Sequence, residues 1–144
     1  MTAKRQSAAQ LAVSLRDALI RLNRRVRQTR PVGDLTATQL SALTSLQLAG
    51  ALTPGELADI ERVRPPTMSK IISKLEERGL VQRSPHPSDG RQVILAATPR
   101  GREVVAALDR VREEWLAQRL AELPAADRDI LRRAAEILRR LASA

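Results

Sequence analysis

The sequence predicts a mainly α-helical protein that carries one small β-hairpin. Apolar residues recur at helical spacing through most of the chain, and Ser, Thr and Pro stand where helices begin. Residues 80–102 depart from this pattern, because they contain two strand-like runs separated by a turn-rich tip. The 144 residues include no Phe, no Tyr and one Trp, so aliphatic side chains must form the core, which suits interlocking helices.

Six helices are predicted, and each begins or ends at a recognisable residue. Capping boxes, in which a hydroxyl residue and the residue three positions later cap each other's backbone, are predicted at Thr36 and Thr53. Pro54 suits the first position of a helix, and Gly79 suits the position after the last. The helices are expected over about residues 7–30, 36–49, 53–61, 65–78, 98–120 and 125–141, and Pro31 and Gly33 end the first of them.

The predicted hairpin follows a helix that is rich in basic residues. Its strands are expected at Leu80–Arg83 and Gln92–Ala97, its tip at Ser84–Gly90, and Arg91 lies beside that tip. The helix before it, over residues 65–78, is the second of two short helices joined by a tight turn. Two such helices followed by a basic hairpin are typical of a winged helix-turn-helix, a unit that binds duplex DNA.

Charge and composition narrow the possible functions. The net charge is +9, and the bases concentrate in residues 1–30 and 61–103, which favours a polyanionic partner. No Cys and one His argue against disulfides, thiol sensing and a metal site, and no cofactor is expected. No apolar stretch approaches the ~18 residues of a membrane span, so we expect a cytoplasmic protein. An enzyme would need a nucleophile–base pair or a metal cluster, and the sequence offers neither.

The second short helix is the candidate DNA-reading element. On the first short helix Leu57, Ala58 and Ile60 are expected to face inward. Lys can reach guanine in the major groove, Ser and Thr can contact bases or phosphates, and proline can pack against thymine methyls. The candidate DNA-binding residues here are Arg64, Pro66, Thr67, Ser69, Lys70, Ser73 and Lys74. The alternative is an amphipathic helix with an ordinary solvated face, and the hairpin at the correct distance favours DNA.

The hairpin tip supplies two further candidates, Asp89 and Arg91. They lie two residues apart with Gly90 between them, so an ion pair could hold the Arg91 guanidinium extended. An extended arginine suits the narrow minor groove, where the negative potential is strongest. The alternative is a surface salt bridge of ~0–1 kcal/mol with no further role. His86, in the same tip, is expected to be a loop residue between two prolines.

The chain divides into a DNA-binding region over residues 35–98 and a helical region over residues 1–34 and 99–144. The helices of the two ends carry more apolar surface than one small module can cover, which favours a homodimer built from the termini. The two regions are expected to form a single intertwined domain.

Two stretches give the sequence a family resemblance: LADIERVRPPTMSKIISKLEERGLVQR and PSDGRQVILAATPRGREV. The D-x-R element at Asp89–Arg91, the T-x-x-G element at Thr98–Gly101 and the L-E-x-x-G-L-V element at Leu75–Val81 resemble the MarR family of bacterial transcription regulators. The one departure is Ala97, where Leu usually precedes the Thr. The resemblance implies a homodimer on a pseudo-palindromic site, with recognition helices in major grooves and wing arginines in flanking minor grooves.

The resemblance also implies that a small amphipathic or phenolic ligand could release the DNA. Its cleft would be lined by Leu19, Leu46 and Trp115, with Arg16 as an anchor for an anion. The alternative is that these are plain core or dimer-interface residues. The function expected from the sequence is therefore a ligand-responsive transcriptional regulator, most simply a repressor. The alternatives are a non-specific architectural DNA-binding protein and a protein-interaction module that reuses the fold.

Overall fold

The computed structural model describes residues 7–29 and 34–144, and these confirm the mainly helical fold with one hairpin. The elements are α1 (Ala8–Gln28), α2 (Ala37–Ala49), α3 (Pro54–Glu61), α4 (Pro65–Glu77), β1 (Val81–Pro85), β2 (Val93–Ala97), α5 (Pro99–Ala121) and α6 (Ala125–Ala142). They fall into two compact units, a central unit of residues 34–110 and a terminal unit of residues 7–29 with 111–144. The predicted helix end at Pro31 and Gly33 lies outside the described residues.

The helix caps follow the sequence closely. The Thr36 hydroxyl accepts the Gln39 N–H at 3.1 Å, and the Gln39 side chain accepts the Thr36 N–H at 3.0 Å, so this capping box is complete. At Thr53 the prediction is half wrong. The Thr53 hydroxyl accepts the Glu56 N–H, as predicted. The Glu56 carboxylate, however, accepts a hydrogen bond from the Thr53 hydroxyl at 2.9 Å and not from the Thr53 backbone N–H.

The core of the central unit is aliphatic and draws on every element of the unit. Leu and Ile of α2, α3 and α4 meet Leu95 of β2 and Val105 of α5, and the largest fully buried side chains are Leu43, Leu46, Leu57, Met68, Ile72, Leu75, Leu95 and Leu108. Because the recognition-type helix α4 rests on this cluster with one face, its opposite face is fixed in solvent. The core thus determines which side chains of α4 can meet a partner.

One inward-facing assignment is wrong. Ile60 of α3 is 54% exposed, whereas Leu57 and Ala58 are buried as expected. Glu61, one turn after Leu57, takes the inner position instead. Its carboxylate accepts hydroxyl hydrogen bonds from Ser41 at 2.8 Å and Ser45 at 2.5 Å, which compensates for its partial burial.

The hairpin is present, but β1 begins one residue later and ends two residues later than predicted, and β2 begins one residue later. β1 and β2 are antiparallel, with Val81 opposite Ala97 and Pro85 opposite Val93, so the first strand extends two residues into the segment assigned to the tip. The hairpin is attached to the core on one side, because Leu95 exchanges two backbone hydrogen bonds with Leu52, at 2.7 and 3.0 Å.

In the terminal unit, α1 and α6 contain no buried residue among those described. Large apolar side chains lie exposed on both helices, among them Leu11, Val13, Ile20, Leu22, Ile130, Leu131, Ile137 and Leu141. A single chain therefore leaves extended apolar faces in contact with water. None of the described helices is both long and apolar enough to cross a membrane.

Candidate nucleic-acid interface

The polar side chains predicted on α4 share one exposed surface. Met68, Ile71, Ile72 and Leu75 hold the other face of the helix in the core. Thr67, Ser69, Lys70, Ser73 and Lys74, which we call the recognition face, are all exposed. Four of them, Ser69, Lys70, Ser73 and Lys74, lie side by side on the open surface of the helix. The structure thus brings the predicted α4 residues together on a convex helix face, the shape that enters a major groove.

These side chains differ in how free they are to bind. The Ser69 hydroxyl already donates to the Pro65 carbonyl at 3.0 Å, and the Lys74 ammonium pairs with Glu77 at 3.4 Å. Within the part of the chain that the structure describes, Lys70 and Ser73 make no side-chain hydrogen bond or ion pair. Among the described residues, Lys70 is therefore the α4 cation with no intramolecular competitor for a nucleobase or a phosphate.

The N-terminus of α4 offers few backbone donors. Pro65 and Pro66 occupy its first two positions and have no N–H, and Arg64 precedes them without a side-chain capping bond. An anion at this end would therefore meet the Thr67 N–H and the side chains around it rather than a row of backbone amides. Arg62, in the turn before α4, has a left-handed backbone with φ of 54°.

At the wing tip, the predicted Asp89–Arg91 ion pair is wrong. The Asp89 carboxylate accepts the backbone N–H of Arg91 at 3.0 Å, and no ion pair joins the two side chains among the described residues. A short aspartate two residues before an amide forms an Asx turn more readily than it reaches a long side chain. Asp89 therefore fixes the main chain, and the exposed Arg91 guanidinium remains available to a partner.

His86 closes the same tip, a role that sequence reasoning missed. Its Nδ1 accepts the backbone N–H groups of Ser88 at 3.2 Å and Asp89 at 3.1 Å. The backbone N–H of His86 donates to the Gln92 carbonyl at 3.1 Å. The tip is thus ordered by its own hydrogen bonds, which holds Arg91 at a defined place on the hairpin.

The T-x-x-G element joins the end of α4 to the start of α5. The Thr98 hydroxyl donates to the Gly79 carbonyl at 2.6 Å and accepts the Gly101 N–H at 3.1 Å, while the Thr98 N–H donates to the Leu80 carbonyl at 3.0 Å. A Cβ at position 101 would lie 2.1 Å from the Leu80 oxygen, so only glycine fits. The motif is therefore a structural clasp beside the wing.

Two ion pairs tie α4 to its neighbours. Arg83 of β1 meets Glu76 with Nε and Oε1 2.7 Å apart. Arg78, after α4, binds both carboxylate oxygens of Asp34, one of them at 2.8 Å. The hydrogen bond from Arg78 lowers the pKa of Asp34 below its ordinary value of 3.8. The first pair connects α4 to the hairpin, and the second connects the end of α4 to the segment before α2.

The four predicted ligand residues lie in different surroundings. Leu46 is fully buried in the core of the central unit. Arg16 and Leu19 are exposed on α1 in the terminal unit. Trp115 of α5 is partly buried, with the guanidinium carbons of Arg25 and Arg119 at 5.9 and 5.6 Å from its ring centre. Their role in ligand binding stays a prediction.

A helix-turn-helix with a polar, basic second helix, followed by a hairpin with arginine at its tip, defines a winged helix-turn-helix DNA-binding protein. Comparison with known proteins places it within that class. The sequence model of the MarR family matches residues 35–93. The chain belongs to the MarR family of DNA-binding transcriptional regulators, and the fold and the relatives are those of regulators rather than enzymes.

Two of the three relatives described next match nearly the whole chain, and one matches about half of it. An HTH-type transcriptional regulator of Mycobacterium bovis is 50% identical over 132 residues, which cover 92% of either protein. A multiple antibiotic resistance protein MarR of Salmonella typhimurium is 37% identical over 68 residues, 47% of either protein. A crystal structure of a transcriptional regulator of Pseudomonas aeruginosa is 31% identical and matches with a TM-score of 0.82, covering 94% of this chain and 95% of that one.

Proposed function

We propose that this protein is a sequence-specific transcriptional repressor that binds a pseudo-palindromic DNA site as a homodimer. The observation that carries the proposal is the recognition face of α4, where Lys70 and Ser73 are exposed with no side-chain partner among the described residues. A free ammonium beside hydroxyls can discriminate between base edges, which a purely electrostatic contact cannot do. This feature favours a specific regulator over an architectural DNA-binding protein.

Within this proposal the two elements have different tasks. Lys70, Ser73 and Thr67 contact base edges in the major groove, while Lys74 and Arg64 contact phosphates. Pro66 packs against the groove wall, and Ser69 takes part through contacts that leave its helix hydrogen bond in place. In the wing, Asp89 holds the tip and Arg91 enters the adjacent minor groove.

The homodimer is supported by the terminal unit. The exposed Leu and Ile of α1 and α6 form apolar faces that would be costly in water, and a second copy of the chain can cover them. Family members are typically dimeric, which agrees with this arrangement. A dimer would also present two copies of α4, as a pseudo-palindromic site requires. Because its target is chromosomal DNA, we place the protein in the cytoplasm.

Release by a ligand is the finer part of the proposal. Within the terminal unit, a small amphipathic or phenolic compound would bind near Trp115, with the exposed Arg16 as the anion anchor and the exposed Leu19 as an apolar neighbour. Trp115 is the only tryptophan of the chain, so its fluorescence reports on this region without interference. Titration with small anionic phenols should quench that fluorescence and release bound DNA over the same concentration range.

The experiment that tests the function is selection of duplexes from a random pool. We expect one two-fold symmetric motif, bound about 10³-fold or more tightly than random DNA at physiological salt. A pool that remains random after several rounds, with strongly salt-dependent binding, would support the architectural alternative instead. Gel filtration of the bound complex gives the number of chains per duplex and tests the homodimer separately.

A further inference from the structure

An ion pair connects the helix that reads DNA to the wing. Glu76 lies on the last turn of α4, and its Oε1 is 2.7 Å from Nε of Arg83 on β1. The side chains of Glu76 and Arg83 are 31% and 45% exposed, so the ion pair is partly accessible to water. Two further links at this corner are a backbone hydrogen bond from the Leu80 N–H to the Leu75 carbonyl at 2.9 Å and the buried side chain of Val81, which belongs to the same core cluster as Leu75.

The position of Arg83 makes this contact mechanically important. Arg83 is opposite Leu95 in the hairpin ladder, and Leu95 is the residue that bonds to Leu52. The hairpin is thus held to the core through β2 and to α4 through Arg83 of β1. With Glu76 removed, β1 would keep its backbone links and the buried Val81 at its base, and the tip that carries Arg91 would gain freedom of movement beyond them.

The charge of Glu76 makes the contact informative. A carboxylate on a helix that faces DNA repels phosphates, so its removal should by itself strengthen binding. The neighbouring Glu77 shows the ordinary situation, because it is exposed and its ion-pair partner is Lys74 of the same helix. Glu76 differs in that its partner belongs to the wing.

We propose that Glu76 is a positioning residue that acts through Arg83 to set the wing against the recognition helix. Glu76 supports DNA binding although it is negatively charged. This inference rests on the proposed function, in which the wing tip contacts DNA through Arg91.

The matched substitutions Glu76→Ala and Glu77→Ala test it, because each removes one carboxylate from the same helix turn. Affinity for the selected duplex is measured by fluorescence anisotropy at fixed salt. Glu77→Ala should strengthen binding by about twofold, as expected for one screened charge. Glu76→Ala should weaken it by about fivefold, near the lower end of the loss of one arginine contact. If Glu76→Ala strengthens binding as Glu77→Ala does, the positioning role is wrong.

Two further backgrounds locate the effect. In an Arg83→Ala protein, adding Glu76→Ala should cause no further loss of affinity for the duplex. In an Arg91→Ala protein, adding Glu76→Ala should no longer weaken DNA binding. A loss of the same size in either background would overturn the proposal. Wild-type affinity of Arg91→Ala alone would instead remove the wing from the proposed function, which separates the two failures. Urea unfolding followed by circular dichroism confirms that each variant is folded.

Discussion

Replacement of Gly101 by alanine should destabilise the protein strongly, because the backbone of α5 packs directly against the Leu80 carbonyl at this residue. The new Cβ would lie 2.1 Å from the Leu80 carbonyl oxygen, more than 1 Å inside the 3.4 Å at which ordinary contact begins. It would also lie 3.3 Å from Cδ1 of Leu43. The Leu80 carbonyl cannot turn aside freely, because it accepts the Thr98 N–H at 3.0 Å.

The expected cost can be worked out from these contacts. Forcing an extra methyl group into a packed site costs about 1–3 kcal/mol, and here the obstacle is backbone, so the upper part of that range applies. Displacing the Leu80 carbonyl would sacrifice a hydrogen bond worth about 1 kcal/mol. The better helix propensity of alanine returns up to about 1 kcal/mol. The net loss in the free energy of unfolding should be about 3 kcal/mol, or roughly 10 °C in Tm.

The measurement is thermal and urea unfolding, followed by circular dichroism at matched protein concentration. Gly55→Ala is the control, because Gly55 lies in the first turn of α3 with no atom within 4 Å of the added Cβ. It should leave stability unchanged or raise it by up to about 1 kcal/mol. Equal stability of Gly101→Ala and Gly55→Ala would refute the idea that the T-x-x-G clasp depends on close backbone approach.

Three other substitutions test separate parts of the structure. Arg62→Gly should raise the free energy of unfolding, measured by urea unfolding, by about 1 kcal/mol, since only glycine adopts the left-handed backbone there without cost. An unchanged urea midpoint would argue against backbone strain at Arg62. Asp34→Asn should be less stable than wild type at neutral pH. Because the folded protein lowers the pKa of Asp34, the extra stability of wild type over Asp34→Asn is present above pH 3.8 and should fade as the pH falls below that value. A stability difference that does not change with pH would contradict the ion pair. Arg91→Ala should weaken DNA binding at least about tenfold in anisotropy titrations, with the dimer intact by gel filtration.

Local chemistry explains why much of the fold was predictable. Caps such as Thr36 and helix ends such as Gly50 depend on neighbours within four residues, so the sequence contains nearly all the relevant information. The recognition face was predictable for the same reason, because helical periodicity separates Met68 and Ile72 from Lys70 and Ser73.

The errors arise where partners are distant in sequence or where backbone competes with side chains. Glu61 takes the inner position of α3 only because Ser41 and Ser45 of α2 provide donors, which helical periodicity cannot reveal. The Asp89 carboxylate bonds to an amide rather than to the Arg91 guanidinium, since the nearer donor costs less side-chain entropy. The Glu76–Arg83 pair was not predicted either, because it depends on how the hairpin folds back against α4.

The central claim is that the recognition face of α4 reads base sequence. It is tested most directly by the affinities of wild type and Lys70→Ala for the selected duplex and for variants with single base-pair changes, all at one salt concentration. Wild type should lose about 1–3 kcal/mol at each base pair that it reads, and Lys70→Ala should lose that discrimination at one base pair of each half-site. Equal binding of wild type to every duplex would contradict the claim, and a uniform loss for Lys70→Ala would make Lys70 a phosphate contact.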